Sequence, residues 1–198
     1  MLLSWDALIE EIENCRACPL YREIHRKVVG QGDIHAELMF IGEGPGADED
    51  LQGVAFVGAA GQLLTKMIAA IGMTRDEVYI CNVVKCRPPH NRTPEKEEAE
   101  ACMTFLRQQF LLVHPKIIVL LGSTAAKAVL GDQIRITRDR GKWVEKKGFF
   151  FMPTYHPAAL HRDPAKKREA WEDLQQVASK LAEVRHSAPE GSPGSPHS

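Results

Sequence analysis

Residues Leu38 to Asp50 read LMFIGEGPGADED: four apolar residues, then three glycines, a proline and a crowd of carboxylates. A run this short, bounded by the charge of Glu37 and by Gly42, reads as a buried β-strand rather than a helix. The glycine-rich loop after it cannot be a phosphate loop. The G-x-x-x-x-G-K-[ST] pattern is absent, and acids at Asp48, Glu49 and Asp50 would repel phosphate. Gly42, Gly44 and Gly46 instead let a backbone pass close to some other ligand, with the acids around it.

Outward from this strand, strand and helix signals alternate. Val78 to Val84 and Ile117 to Leu121 read as further strands, and Trp143 to Glu145 with Phe149 to Met152 as a hairpin around Lys147 and Gly148. Ser4 suits the cap of a first helix carrying Leu8, Ile9 and Ile12 on one face. Leu63, Leu64, Met67, Ile68 and Ile71 keep helical spacing up to Gly72. Thr93, Pro94 and Glu95 predict a helix start, with the hydroxyl as cap, and that helix runs to about Val113. Ser123 opens a short helix that stops at Gly131, and a last amphipathic helix spans roughly 164–184. Such alternation predicts an α/β fold: a three-layer α/β/α sandwich with a mainly parallel four-stranded sheet. Residues 1–186 are expected to form one domain, and 187–198, rich in Ser, Pro and Gly, a disordered tail.

The formal net charge is -1, with 44% hydrophobic and 26% charged residues, and no apolar run approaches the roughly 20 residues that a membrane span needs. The expectation is a soluble, intracellular chain. Its charge is uneven. Basic residues gather at 135–147 and 162–168, acidic ones at 48–50 and 95–100, so a nucleic-acid partner is not excluded by the balance.

Five cysteines and no secretory leader point to a reducing compartment, where clustered thiols bind metal more often than they form disulfides. Cys15 and Cys18 form a C-x-x-C, while Cys86 and Cys102 lie 16 positions apart; a four-thiolate site from these leaves Cys81 over. Four thiolates suit tetrahedral zinc or a cubane iron–sulfur cluster, and the spacing leaves both open, although the scatter leans toward an enclosed cluster. The plainer alternative is two buried thiols beside a chance C-x-x-C.

Ligands of such sheets bind at the carboxyl ends of the strands. There the chain offers the 42–50 loop, then Phe56 between Gly53 and Gly58, then Asn82, and finally Thr154, Tyr155 and His156 fixed by Pro157. Each has a bland reading: an acidic turn, a core phenylalanine, a strand-end amide, a structural histidine.

Together, GEGPGADEDLQGVAFVGAAGQLL, CNVVKCRPPHNRTP and TYHPAAL, with the four spaced cysteines, closely resemble the family 4 uracil-DNA glycosylases, base-excision-repair enzymes of bacteria and archaea. The resemblance covers approximately residues 1–184. It implies the uracil-glycosylase fold and a [4Fe–4S] cluster held by Cys15, Cys18, Cys86 and Cys102, with a structural rather than a redox role. It also implies a monomeric enzyme of the prokaryotic cytoplasm, acting on uracil-containing DNA, single- or double-stranded. The products would be free uracil and an abasic site, without strand cleavage.

The resemblance also implies roles. Phe56 would stack on the flipped base, and Asn82 would select it. An amide that donates to uracil O4 and accepts from N3–H meets two mismatches on cytosine, where donor and acceptor are exchanged. Glu49 would crowd the C5 side against thymine, and a backbone amide near Gly44 would add a uracil contact. His156 would hydrogen-bond O2 and stabilise the departing anion, and Glu43 would position water or stabilise the cationic sugar. Leu160 would be the wedge filling the vacated stack. Lys85, Arg87, Arg92, Arg162 and the 138–142 segment would meet phosphates. The chain departs from the family's frequent pattern at Gly44, Cys81 and Ala158, often Ala, a hydroxyl residue and Ser there; none is a group assigned to chemistry.

Overall fold

Four parallel strands form the centre of the sheet in the computed structural model, which describes residues 1–187. They are β2 (Leu38–Gly42), β3 (Tyr79–Asn82), β4 (Ile117–Leu121) and β6 (Phe149–Thr154). Among the described residues the sheet has six strands rather than four, in the order β1 (Gln31–Gly32), β3, β2, β4, β6, β5 (Val144–Lys146). The additions are antiparallel edges: β1 against β3, and β5, the outer arm of the expected hairpin, against β6. A strand of two residues such as β1 carries too little pattern to count as sheet from sequence, and pairing alone reveals it.

Strand alternation builds the layers. From β2 and β4, Leu38, Phe40, Ile117, Val119 and Leu121 pack on one face with Leu64, Ile68, Leu174 and Val177. Those helical residues belong to α3 (Ala59–Ala70) and α8 (Lys167–His186). Met39, Ile41, Ile118 and Leu120 pack on the other face with Leu106, Ala125 and Ala126. These come from α4 (Lys96–Val113) and α5 (Ser123–Leu130). Every one of these strand residues is at most 2% exposed, as a sheet covered on both sides requires. The α/β/α arrangement is thus the expected one.

Ser4 caps α1 (Trp5–Asn14), accepting from the N–H of Ala7 at 3.2 Å. The start of α4 differs from expectation. Glu95, not Thr93, is the capping residue, because Glu98 reaches back to the Glu95 N–H at 2.8 Å and pairs with both guanidinium nitrogens of Arg92 at 2.8 Å. That charge-assisted fork outcompetes a single hydroxyl cap. No helix among the described residues is long and apolar enough to cross a membrane. The expected tail, apart from Ser187, lies outside the described residues.

Candidate active site

The carboxyl ends of the four parallel strands open into one cleft of about 1360 Å³. Each strand delivers a loop to it: Glu43 to Glu49 after β2, Asn82 at the end of β3, Gly122 to Thr124 after β4, Tyr155 and His156 after β6. Glu43, Gly44, Glu49, Phe56, Asn82 and His156, drawn from three loops, therefore share a wall although 113 positions separate the first from the last. The approach is tight at Gly42. A methyl group there would lie 2.4 Å from Cζ of Phe56 and 2.6 Å from Oδ1 of Asn82.

Asn82 is 2% exposed, and its Oδ1 is buried without a hydrogen-bond partner among the described residues. A buried polar oxygen left unpaired costs about 1–3 kcal/mol, so such an atom marks a place where a donor arrives from outside.

Phe56 has φ 54°, a left-handed backbone that a bulky residue adopts only under constraint. The constraints are visible. Arg75 donates to the carbonyls of Phe56 at 2.8 Å and Ala55 at 2.7 Å. Glu49 accepts from the N–H groups of Val57 at 3.0 Å and Gly58 at 2.9 Å through Oε1, and from Gly46 at 3.2 Å through Oε2. A methyl group on Gly61 would meet the Phe56 carbonyl at 1.9 Å, so α3 starts directly beneath the ring's backbone. Glu49, expected against the base, thus spends its oxygens on three amides and shapes the loop that carries Phe56.

The His156 ring lies against Phe56, with centroids 5.7 Å apart and planes inclined by 30°. Its Nδ1 accepts from the Ala158 N–H at 3.1 Å, which leaves the proton of the neutral ring on Nε2. Burial, helped by the Arg162 charge and opposed by that of Glu49, pushes its pKa down to about 4. The ring is therefore a neutral donor at physiological pH. The strand before it is pinned from α8: Thr154 donates to Asp173 at 2.6 Å, and Tyr155 to Glu169 at 2.8 Å. Glu43 is held by the Thr124 hydroxyl, which donates to its Oε2 at 2.5 Å.

The residues expected on DNA divide. Arg162 is exposed and lines the cleft. Arg87 lies outside it, half-buried, its Nε donating to Asn91 at 2.7 Å. Arg92 lines the cleft but is tied to Glu98. Lys85, expected on a phosphate, is turned inward. It is 1% exposed and donates to the Asn82 carbonyl and to Gln109, both at 2.6 Å. Leu160 is not an exposed wedge. In α7 (Pro157–Arg162) it sits one turn from buried Pro157, is turned inward, and packs into the core at 2% exposure. Arg140 is likewise committed to the buried Asp173.

Cys15, Cys18, Cys86 and Cys102 line a second, small cavity walled by Ile12, Leu20, Tyr21 and Phe105. All four are free thiols, as is the buried Cys81 outside it. The fold therefore joins the N-terminus to mid-chain at four thiols, with the side chains of Lys27 and Lys85 also on the cavity wall, a donor set that fits a thiolate-ligated group. Among the described residues no three Cys, His, Asp or Glu side chains converge on a single point as one ion needs.

Thr124, Arg75 and Asp173 escaped the sequence reading. Only the position of Thr124 just past a strand's carboxyl end gave any signal; the other two act through partners unrelated to them in sequence.

The model of the uracil DNA glycosylase superfamily matches residues 29–175. A type-4 uracil-DNA glycosylase of Thermotoga maritima is 43% identical over 174 residues, 86% of this chain and 91% of that one. One of Sulfurisphaera tokodaii is 44% identical over 183 residues, 88% and 83% of the two chains. One of Archaeoglobus fulgidus is 42% identical over 182 residues, 88% and 92%.

Proposed function

The chain belongs to the uracil-DNA glycosylase superfamily, and from that premise we propose that it excises uracil from DNA by gripping an extruded base between Asn82 and His156. The observation that carries the reading is the unpaired, buried Oδ1 of Asn82 beside the Phe56 ring.

A base inside a duplex cannot present its glycosidic bond, so the nucleotide turns out into the cleft. Phe56 stacks on the ring regardless of its identity. Asn82 then reads the edge: Oδ1 accepts from uracil N3–H while the amide N–H donates to O4. Cytosine would leave both groups unpaired, at about 1–3 kcal/mol each.

Cleavage builds negative charge on the base and positive charge on the sugar. The neutral His156, with its proton on Nε2, donates to O2 as that charge grows, at no cost of first removing a proton. Glu43, oriented by Thr124, holds the attacking water on the sugar side. The reaction read from these groups is simple hydrolysis without a Schiff base, so excision leaves the strand unbroken. Cys15, Cys18, Cys86 and Cys102 would hold a [4Fe–4S] cluster. When bound, it would staple the N-terminus to the loop after β3 and take no part in the bond cleavage.

The test is a uracil-containing oligonucleotide incubated with catalytic protein and resolved with and without alkaline treatment. Multiple turnovers and breaks only after alkali are expected. A stable protein–DNA adduct, breaks without alkali, or intact DNA after alkali would each overturn the proposal.

A further inference from the structure

Lys85 stands between two sites that the chain assembles from different loops. Its side chain lines the four-cysteine cavity with Cys86 and Cys102, and its Nζ donates to the main-chain oxygen of Asn82 at 2.6 Å. The second acceptor, Oε1 of Gln109 at 2.6 Å, is itself fixed. Gln109 is fully buried, and its amide nitrogen donates to Val29 at 2.7 Å and to the Tyr79 hydroxyl at 2.9 Å. The nitrogen is thus held in one position by a frame that solvent does not reach.

Burying an ammonium among neutral oxygens alone is costly, and such a charge is retained where an opposite charge compensates it. Among the described residues no carboxylate lies within 4.0 Å of Lys85. Its two oxygen partners are what fix it, and one of them belongs to the peptide of Asn82.

Asn82 ends β3, in register with Gly42 of β2, and beyond it the chain leaves the sheet toward Cys86. The orientation of its peptide sets where the side-chain amide points. We infer that Lys85 is a positioning residue: framed by Gln109 beside the four-cysteine cavity, it holds the Asn82 peptide so that the amide meets the base. The inference rests on the reading of Asn82 as the uracil-selecting residue. It turns Lys85 from a phosphate contact into a strut between the metal cage and the specificity pocket.

The test compares metal-loaded wild type with Lys85→Met, which keeps the length of the side chain and removes its nitrogen. Three readouts are taken: inhibition by free uracil, the salt dependence of binding to uracil-free DNA, and iron content with circular dichroism. With fold and iron matched, free uracil should inhibit Lys85→Met about tenfold more weakly, since a charge-assisted hydrogen bond is lost. The salt slope should be unchanged. A uracil inhibition constant within about twofold of wild type would overturn the inference, as would a salt slope reduced by about one, the mark of a phosphate contact.

Should Lys85→Met fail to fold, Gln109→Met carries the test. It removes one of the nitrogen's two acceptors and leaves Lys85 and the cysteines in place. Inhibition weakened about threefold supports the inference, and unchanged inhibition overturns it. If free uracil does not inhibit wild type at all, the reading of Asn82 falls, and this inference with it. Inhibition of wild type with no change in either variant sinks the role of Lys85 alone.

Discussion

The Phe56 ring and the His156 imidazole lie 5.7 Å apart, centroid to centroid, with their planes inclined by 30°. The surface proposed to carry the base and the group proposed to take up its charge are therefore a single packed unit. Moving one moves the other. That unit is held through its backbone and its chain neighbours: by Arg75 and Glu49 on the Phe56 side, and by Asp173 and Glu169 on the His156 side.

The half-buried His156 gives a pH signature. Its pKa is about 4 in the folded chain, against about 6.5 when unfolded, so between these values the unfolded chain binds the proton and the folded chain does not. This site's effect is therefore a loss of stability as pH falls from about 6.5 to 4. His156→Gln should flatten that limb in urea melts at pH 5 and pH 7. An unchanged slope would show that His156 is not the group responsible. On uracil DNA, the same variant should lower kcat more than it weakens binding.

Asn82→Ala should cut kcat/KM on uracil by about a hundredfold or more, since two hydrogen bonds to the base go together. Chemical denaturation of the free protein should show it within about 1 kcal/mol of wild type, because Oδ1 has no partner to lose. A variant with near-normal turnover would refute the assignment.

Thr124→Val keeps the shape of the side chain and deletes the hydroxyl that donates to Glu43. A roughly tenfold drop in kcat with little change in KM is expected, and recovery in Thr124→Ser, because a hydrogen bond to a charged group is worth about 1.5–3 kcal/mol. A raised KM with kcat unchanged would instead mean that Glu43 binds substrate and transition state alike.

Glu49→Gln replaces an acceptor for three backbone amides with a group of which only one atom accepts. The facing amide N–H groups then oppose each other, and a loss of about 1–3 kcal/mol in folding stability is expected, with weaker inhibition by free uracil as Phe56 loosens. Wild-type stability in a denaturant titration would show that the three contacts are dispensable.

Cys86→Ala removes one thiol of the four that line the shared cavity. The variant should be purified with little iron, without a visible absorbance band, and in poor soluble yield, since a structural metal contributes directly to folding. Full iron content would exclude Cys86 as a ligand.

Much of this was legible in the chain. Periodicity and glycine punctuation located the four parallel strands, and the rule that ligands sit at strand carboxyl ends collected Glu43, Phe56, Asn82 and His156 before any geometry. Less legible was which way a side chain turns. Lys85 flanks a cysteine in a basic-looking stretch and reads as a surface cation, yet the sheet's second layer closes over it. Leu160 reads as an anchor or a wedge with equal ease until α7 rotates it toward the core. The α4 cap moved because Arg92 found Glu98, a pairing that local cap rules do not weigh.

The sequence by itself determined the order of elements, the three loops that meet in the cleft and the four cysteines that line one cavity, because these are encoded by local spacing and by residue type. The tertiary structure alone decided which polar atoms are left unpaired and which are already spent. Whether Asn82 Oδ1 waits for a base, or Lys85 Nζ has found its oxygens, depends on atoms contributed from across the fold, and no local pattern records them.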